Sequence, residues 1–335
     1  EQDRNIRACI CEHIAWHRNT AIHPAVIYNF RQDFSFNATF GCNESRRNDN
    51  SPFAICFQRI DEIDASEAIK KDRRERHAEM VEQSIRGSVA QAQIAHEVSG
   101  GNGRIHMNML WELAGSEQIL NGVLEKAKGL IHGVTCGAGL PYHLGELASR
   151  FGVYYYPIVS SARAFQVLWK RAYSNFREFL GGVVYEDPWL AGGHNGLSNA
   201  EDPAKPQAPY ERLVELRRLL RTLGLDNIPI ILAGGIWSLK DWQDYIDNPD
   251  IGKIAFQFGT RPMITKESPI SEAWKKVMLQ VKKGDVILQK FSPTGFFSSA
   301  IKNTFLEKLI LRKQGEIAFS KEQTSEFSHP LSIRE

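Results

Sequence analysis

The feature that most constrains this chain is a rhythm. From about residue 100 onward, short apolar runs alternate with amphipathic stretches, and several of the runs end at or shortly before glycine. The runs at 104–110, 129–137, 153–160, 182–186, 229–235 and 253–260 have few alternating polar positions. That pattern suits strands covered on both faces, as in a parallel sheet. Helices fill the gaps. Ser160 or Ser161 can cap a helix over 162–173, and Leu213, Leu216, Leu219, Leu220 and Leu223 form a stripe ending at Gly224, where a C-cap glycine belongs. Ser238 to Asp241 opens another helix with a pattern close to a capping box. Repeated strand–helix alternation predicts a parallel α/β fold, doubly wound or closed into a barrel.

The flanks break the rhythm. A helix is predicted over 271–283, with Trp274, Val277, Met278 and Val281 on one side, and a loop at Ser292-Pro293-Thr294-Gly295 leads to a last helix near 298–313. Upstream, 62–98 reads as helix, and its run from Lys70 to Arg76 has the mixed charge of a solvated face. Residues 25–30 and 53–57 are candidate strands, while the stretch between them does not suit a barrel helix. The expected organisation is a barrel over 1–265, divergent in 1–85, a helical appendage or lid over 266–320, and a polar tail over 321–335.

Composition excludes more than it selects. With 335 residues, 42% hydrophobic, 24% charged and a net charge of +2, the chain has no global drive toward nucleic acid or an acidic membrane. No apolar run approaches the roughly 18 residues of a membrane span. The polar start, Glu1 to Arg7, does not read as a secretory signal, and five cysteines without framework spacing read as reduced thiols. A cytoplasmic location is expected, with a small-molecule substrate and a homodimer compatible with the sequence. Cys9, Cys11, His13, His17 and His23 crowd the N-terminus but match no standard zinc spacing, so no metal is expected there.

Three glycine segments follow predicted strand ends, where parallel α/β proteins place their sites. They are Ala191-Gly192-Gly193-His194-Asn195-Gly196, Ala233-Gly234-Gly235-Ile236 and Gln257-Phe258-Gly259-Thr260. Glycine lets backbone N–H groups approach a phosphate closely. One such turn is usually only a turn, but two on consecutive strands favour phosphate binding. His194 could be an ordinary loop histidine; its place between glycines, past a strand end, and its suitability for proton transfer near neutral pH favour a catalytic role. Asn108 interrupts an apolar strand, and a buried amide must bond either to neighbouring backbone or to a polar ligand edge. Cys136, in Cys136-Gly137-Ala138-Gly139, reads as a small core residue before a reactive thiol.

Together with Gly137-Ala138-Gly139-Leu140-Pro141 and Pro157-Ile158-Val159-Ser160-Ser161-Ala162-Arg163-Ala164, these segments resemble the nitronate monooxygenase family, in order and at plausible spacing over roughly residues 85–310. The resemblance implies a (β/α)8 TIM barrel with a helical C-terminal appendage and noncovalent FMN at its mouth. It implies flavin contacts at Asn108, Gly139 and Gly193, a phosphate cradle at Gly234, Gly235, Gly259 and Thr260 with Gln257 nearby, and His194 as the acid/base. The implied activity is oxidation of alkyl nitronates or nitroalkanes with O2 to carbonyl compounds and nitrite. Two departures stand out. Nothing before residue 85 matches the family's Gln-Gly-Gly-Met-Gly type turn, and Glu186-Asp187-Pro188-Trp189 replaces its Glu-Gly, so Asp187 and Trp189 are expected to reshape the pocket.

Two alternatives share much of this pattern. An NAD(P)H-dependent flavin enoyl-acyl-carrier-protein reductase would have the same histidine loop and a basic rim, for which Lys275, Lys276, Lys282 and Lys283 are candidates. A flavin-free binding barrel would explain the missing N-terminal turn.

Overall fold

The apolar runs assemble into one parallel sheet whose strands follow chain order. In this computed structural model, residues 28–30, 72–101, 104–194, 196–266, 268, 270–290 and 297–313 are described. The sheet runs β1 (Tyr28–Phe30), β2 (Ile105–Leu110), β3 (Gly133–Gly137), β4 (Tyr154–Val159), β5 (Val183–Glu186), β7 (Ile230–Ala233) and β8 (Ile254–Gln257), every neighbouring pair parallel. Among the described residues these seven parallel strands form the curled sheet of a (β/α)8-type barrel. The strand predicted at 53–57, the cysteine–histidine cluster, the loop at 292–295 and the polar tail also lie outside them.

Strand pleating sorts the residues onto two faces. Outward, Met107, Met109, Val134, Cys136, Tyr155, Val183, Tyr185, Ile230, Leu232 and Phe256 join the main core with the helices. Inward, Val184, Ile231, Ala233 and Ala255 form a smaller cluster with Tyr156 and Ile158. Glycines make this interior narrow: a Cβ at Gly181 would lie 2.3 Å from Tyr156, and one at Gly137 would lie 2.9 Å from Ile158.

The helices that cover the sheet are α1 (Arg73–Val98), α2 (Ser116–Lys126), α3 (Leu144–Phe151), α4 (Ala162–Arg171) and α5 (Pro209–Thr222). In α1, Asp72 and Glu75 make a reciprocal capping box, so part of the charged run sets the helix start while remaining exposed. Ser161 caps α4 by accepting from Ala164 N–H. Gly224 takes a φ of +71° just past α5, which only glycine adopts without strain. The helix expected after Ser238 is instead a kinked 3-10 segment, Leu239–Tyr245.

A polar residue inside the leucine stripe of α5 holds the base of the barrel. Arg217, fully buried, donates to four carbonyls: Ile251 (2.6 Å), Asp226 (2.9 Å), Ile228 (2.9 Å) and Lys253 (2.8 Å). Its guanidinium thus ties α5 to the residues that lead into β7 and β8.

The region after β8 is not purely helical, which corrects the expected appendage. The 3-10 turn Arg261–Ile264 and helix α6 (Glu272–Gln280) are followed by two strands, β9 (Val286–Gln289) and β10 (Ser298–Ile301). Only then comes α7 (Thr304–Lys313), so the first residues of the helix predicted from 298 are strand. β10 pairs antiparallel with β9 and also with β6 (Gly193–His194), a two-residue strand of the histidine loop. That pairing explains the extended backbone: Ser298 to Ile301 satisfy their hydrogen bonds across strands rather than along a helix.

Candidate active site

The parallel strands all point their C-terminal ends at one mouth, and the glycine segments gather there. The β7 turn carries Gly234 (φ +100°) and Gly235 (φ +71°), and the β8 turn carries the exposed Gly259 and Thr260. Among the described residues, the backbone N–H groups of Gly234, Gly235, Gly259 and Thr260 donate to no protein acceptor. Arg261 ties the two turns together, its Nη1 donating to Trp237 O at 2.8 Å. Four free N–H donors on adjacent strand ends suit an anion such as a phosphate.

Two of these glycines also have a reason inside the protein. A Cβ at Gly234 would meet Ala191 N at 2.9 Å, and one at Gly235 would meet Leu190 Cδ1 at 3.0 Å. The β7 turn is therefore packed under the loop leading to His194, and a side chain at Gly235 would strike that loop first. A Cβ at Gly259 would find no atom within 4 Å.

The histidine loop is built from both sides. Asp187, fully buried, accepts from Trp189 N–H and Leu190 N–H, each at 2.9 Å, and its carboxyl is raised from the ordinary range by burial, which those two bonds oppose. Trp189 donates from Nε1 to Asp202 O (3.2 Å) and lies under the Arg212 guanidinium at 4.8 Å. Asp187 and Trp189 thus hold the histidine loop to itself. Arg212 also pairs with Glu201 and donates to Ser160 O (3.0 Å) and Gln207 Oε1 (3.1 Å). Ser160 is not a helix cap: its hydroxyl donates to Gly196 O at 2.8 Å, seating the loop on the end of β4. From the appendage, Lys290 donates to Asn199 Oδ1 (2.6 Å), and β10 pairs with β6 in a register that sets Ser298 opposite His194 and Ser299 opposite Gly193. Gly193 takes a φ of +71° at the start of this short pairing.

Inside the mouth, Asn108 and Gln257 occupy inward positions of β2 and β8. Asn108 Oδ1 is buried and has no partner. Backbone bonding, the simpler explanation for this amide, leaves that oxygen unused, so the residue fits a ligand edge. Two positions deeper, His106 is 3% exposed, stacked near Tyr156 at 4.5 Å, with Nδ1 unpartnered. Burial first, and His132 second, lower its pKa to about 3, so it is neutral.

The remaining candidates divide. Gly139 (φ +102°) forms a tight turn after β3 beside Ala138 (φ +56°), and a Cβ on it would lie 2.9 Å from the Glu112 side chain. Cys136 is a core residue whose thiol burial pushes well up, so it carries no reactive thiolate. Lys275 is not on a basic rim: it is 5% exposed and paired with Glu272 at 2.8 Å. Among the described residues there is no helix long and apolar enough to cross a membrane and no His/Cys/Asp/Glu group that could hold a metal ion. Sequence reading passed over Arg212, His106, Ser298 and Ser299. The polar character of His106 within an apolar run was the one available signal; the others depend on tertiary pairing.

A parallel barrel with an anion-ready pair of turns at the C-terminal ends of its strands defines the class of α/β barrels with a phosphate-type site at the mouth. The profile of the nitronate monooxygenase family matches residues 73–330, and the chain belongs to that family of flavin oxidoreductases. Among solved structures it is similar to FabK from Thermotoga maritima, at 19% identity and a TM-score of 0.51 over 66% of this chain and 62% of that one. It is also similar to a nitroalkane oxidase from Streptomyces ansochromogenes, at 16% identity and a TM-score of 0.47 over 66% of this chain and 68% of that one. The enoyl reductase domain of MlnA from the macrolactin biosynthesis cluster of Bacillus amyloliquefaciens matches at 15% identity and a TM-score of 0.48, over 70% of this chain and 60% of that one. The chain spans less than two thirds of the length of that FabK. No curated protein matches.

Proposed function

We propose that this chain binds FMN at the barrel mouth and oxidises alkyl nitronates or nitroalkanes with O2, giving carbonyl compounds and nitrite. The observation that carries the reading is the buried, unpartnered Oδ1 of Asn108, on the inward face of a barrel whose β7 and β8 turns carry backbone N–H groups without a protein acceptor. An unsatisfied buried acceptor costs about 1–3 kcal/mol, and a polar ring edge would remove that cost. The residues therefore fit a cofactor with one planar polar end and one phosphate end.

Gly234, Gly235, Gly259 and Thr260 would hold the phosphate through their backbone, Gln257 would lie beside it, and Asn108, Gly139 and Gly193 would border the ring. FMN, when bound, supplies the electron acceptor. His194 serves as acid/base: its imidazole takes the α-proton of a neutral nitroalkane, or orients a nitronate that has already lost it. Arg212, Glu201 and Asp187 fix the loop that carries it. The partners in this reading are small molecules, the protein works in the cytoplasm, and a homodimer is compatible with it.

The test is a visible absorption spectrum of the purified protein, then anaerobic addition of propyl-2-nitronate and, separately, NADPH. Flavin bands that bleach with nitronate are expected. Bleaching with NADPH alone would transfer the assignment to an enoyl-reductase-type reaction, and a protein that stays colourless after FMN is supplied would leave a flavin-free barrel.

A further inference from the structure

The histidine loop owes part of its shape to a strand that arrives from the end of the chain. In the β6–β10 pair, Ser298 stands opposite His194 and Ser299 opposite Gly193. Both serines are 8% exposed, and both hydroxyls lack any hydrogen-bond partner. The strand's backbone is already occupied on both edges, by β6 and by β9. A hydroxyl is small and rotates freely, so a buried serine ordinarily finds a nearby carbonyl. Two adjacent serines that do not are an unmet demand for an oxygen or nitrogen partner, placed at the candidate acid/base residue.

We infer that Ser298 is a substrate-binding residue, whose hydroxyl donates a hydrogen bond to an oxygen of the substrate while His194 handles the adjacent α-proton. The inference rests on the proposed role of His194. Positions directly opposite across an antiparallel pair are close neighbours, which assigns the function to Ser298, in register with His194, rather than to Ser299, in register with Gly193. A donor at a nitro or nitronate oxygen stabilises the negative charge that collects there once the α-carbon loses its proton, so its contribution is larger after proton removal than before. The substrate class that fits is a small molecule with an oxyanion-forming group next to an acidic C–H bond. No group is transferred by the serine, and its proton stays on its own oxygen.

The experiment compares wild type, Ser298→Ala, Ser298→Thr and Ser299→Ala, each as purified. Calorimetric titration with propyl-2-nitronate in the absence of oxygen limits each protein to binding and at most one flavin reduction, which absorbance follows in parallel, and nitroalkane kinetics follow for the flavin-loaded proteins. Loss of one neutral or charge-assisted hydrogen bond predicts nitronate binding and kcat/KM lower by about tenfold in Ser298→Ala. Ser298→Thr keeps the hydroxyl and should stay within about threefold of wild type, a rescue that a purely packing role would not give. Ser299→Ala should match wild type. Equal binding by wild type and Ser298→Ala, a larger loss in Ser299→Ala, or no nitronate binding by wild type would each overturn the inference. A protein without flavin whose nitronate binding still depends on Ser298 would sustain the inference while removing the flavin assignment.

Discussion

The two faces of the barrel wall treat polar atoms differently. On the outer side, buried polar groups are paired: Arg217 collects four carbonyls, Tyr155 donates to Tyr173 O and Tyr173 donates to Pro141 O. Among the described residues, Trp242 Nε1 is the exception there. On the inner side and above it, His106, Asn108, Ser298 and Ser299 all keep an unpartnered atom. A protein interior tolerates few such groups, since each costs about 1–3 kcal/mol. The outer face thus meets nearly all of its hydrogen-bonding demand within the protein, whereas the inner side leaves four buried polar atoms unmet.

Four substitutions would break or sharpen that contrast. The largest effect is expected for His194→Asn: turnover of neutral nitroalkane should fall by about 10²–10⁴-fold with flavin content unchanged, as measured by steady-state kinetics and absorbance. Unchanged turnover would remove the histidine from the chemistry. Arg217→Leu should cost about 3 kcal/mol or more in urea unfolding, because four carbonyls at the base lose their donor together, and what still folds should bind flavin normally. Asn108→Leu should do the reverse. Flavin affinity should drop about tenfold, while the unloaded protein gains or holds stability because an unmet acceptor is gone. A loss of stability with no change in flavin binding would make Asn108 an ordinary core residue.

The fourth effect separates the faces by pH. His106 has a folded pKa of about 3 against an ordinary value of 6.5, so between those values the unfolded chain binds a proton that the folded one does not. Stability from this group is whole above pH 6.5 and declines as pH falls toward 3, by about 1.4 kcal/mol per pH unit at most. His106→Phe should flatten that slope in unfolding curves collected from pH 7 to pH 4. An unchanged slope would mean that other groups govern acid sensitivity.

What the sequence made legible follows what is local. The strand positions depended on apolar runs and glycine stops, and six runs all became strands, each starting later than its run and three of them also ending earlier. The turn at Gly234–Gly235 and the inward place of Asn108 were legible because a glycine pair and an interrupted apolar run are visible without a partner. The appendage was not. Ser298 to Ile301 can follow either a helical or an extended pattern, and the extended one wins through pairing of all four residues with β9 and of Ser298 and Ser299 with β6, about a hundred positions earlier. Arg217 was hidden for a similar reason, since a basic residue on a helix gives no sign of the carbonyls that will surround it. Glycine at 235 was read for its ligand, whereas the loop beneath Leu190 already requires it.

The pairing of β10 with the histidine loop has a consequence for the order in which this molecule is made. During synthesis the barrel strands through β8, the paired turns and the histidine itself all leave the ribosome before β10 does. A nascent chain thus acquires the wall and the anion cradle first, and its histidine loop acquires its third strand last. The candidate site stays unassembled until nearly the whole catalytic region has been translated. Any shortened product ending before β10 would carry the recognisable fold without the completed loop.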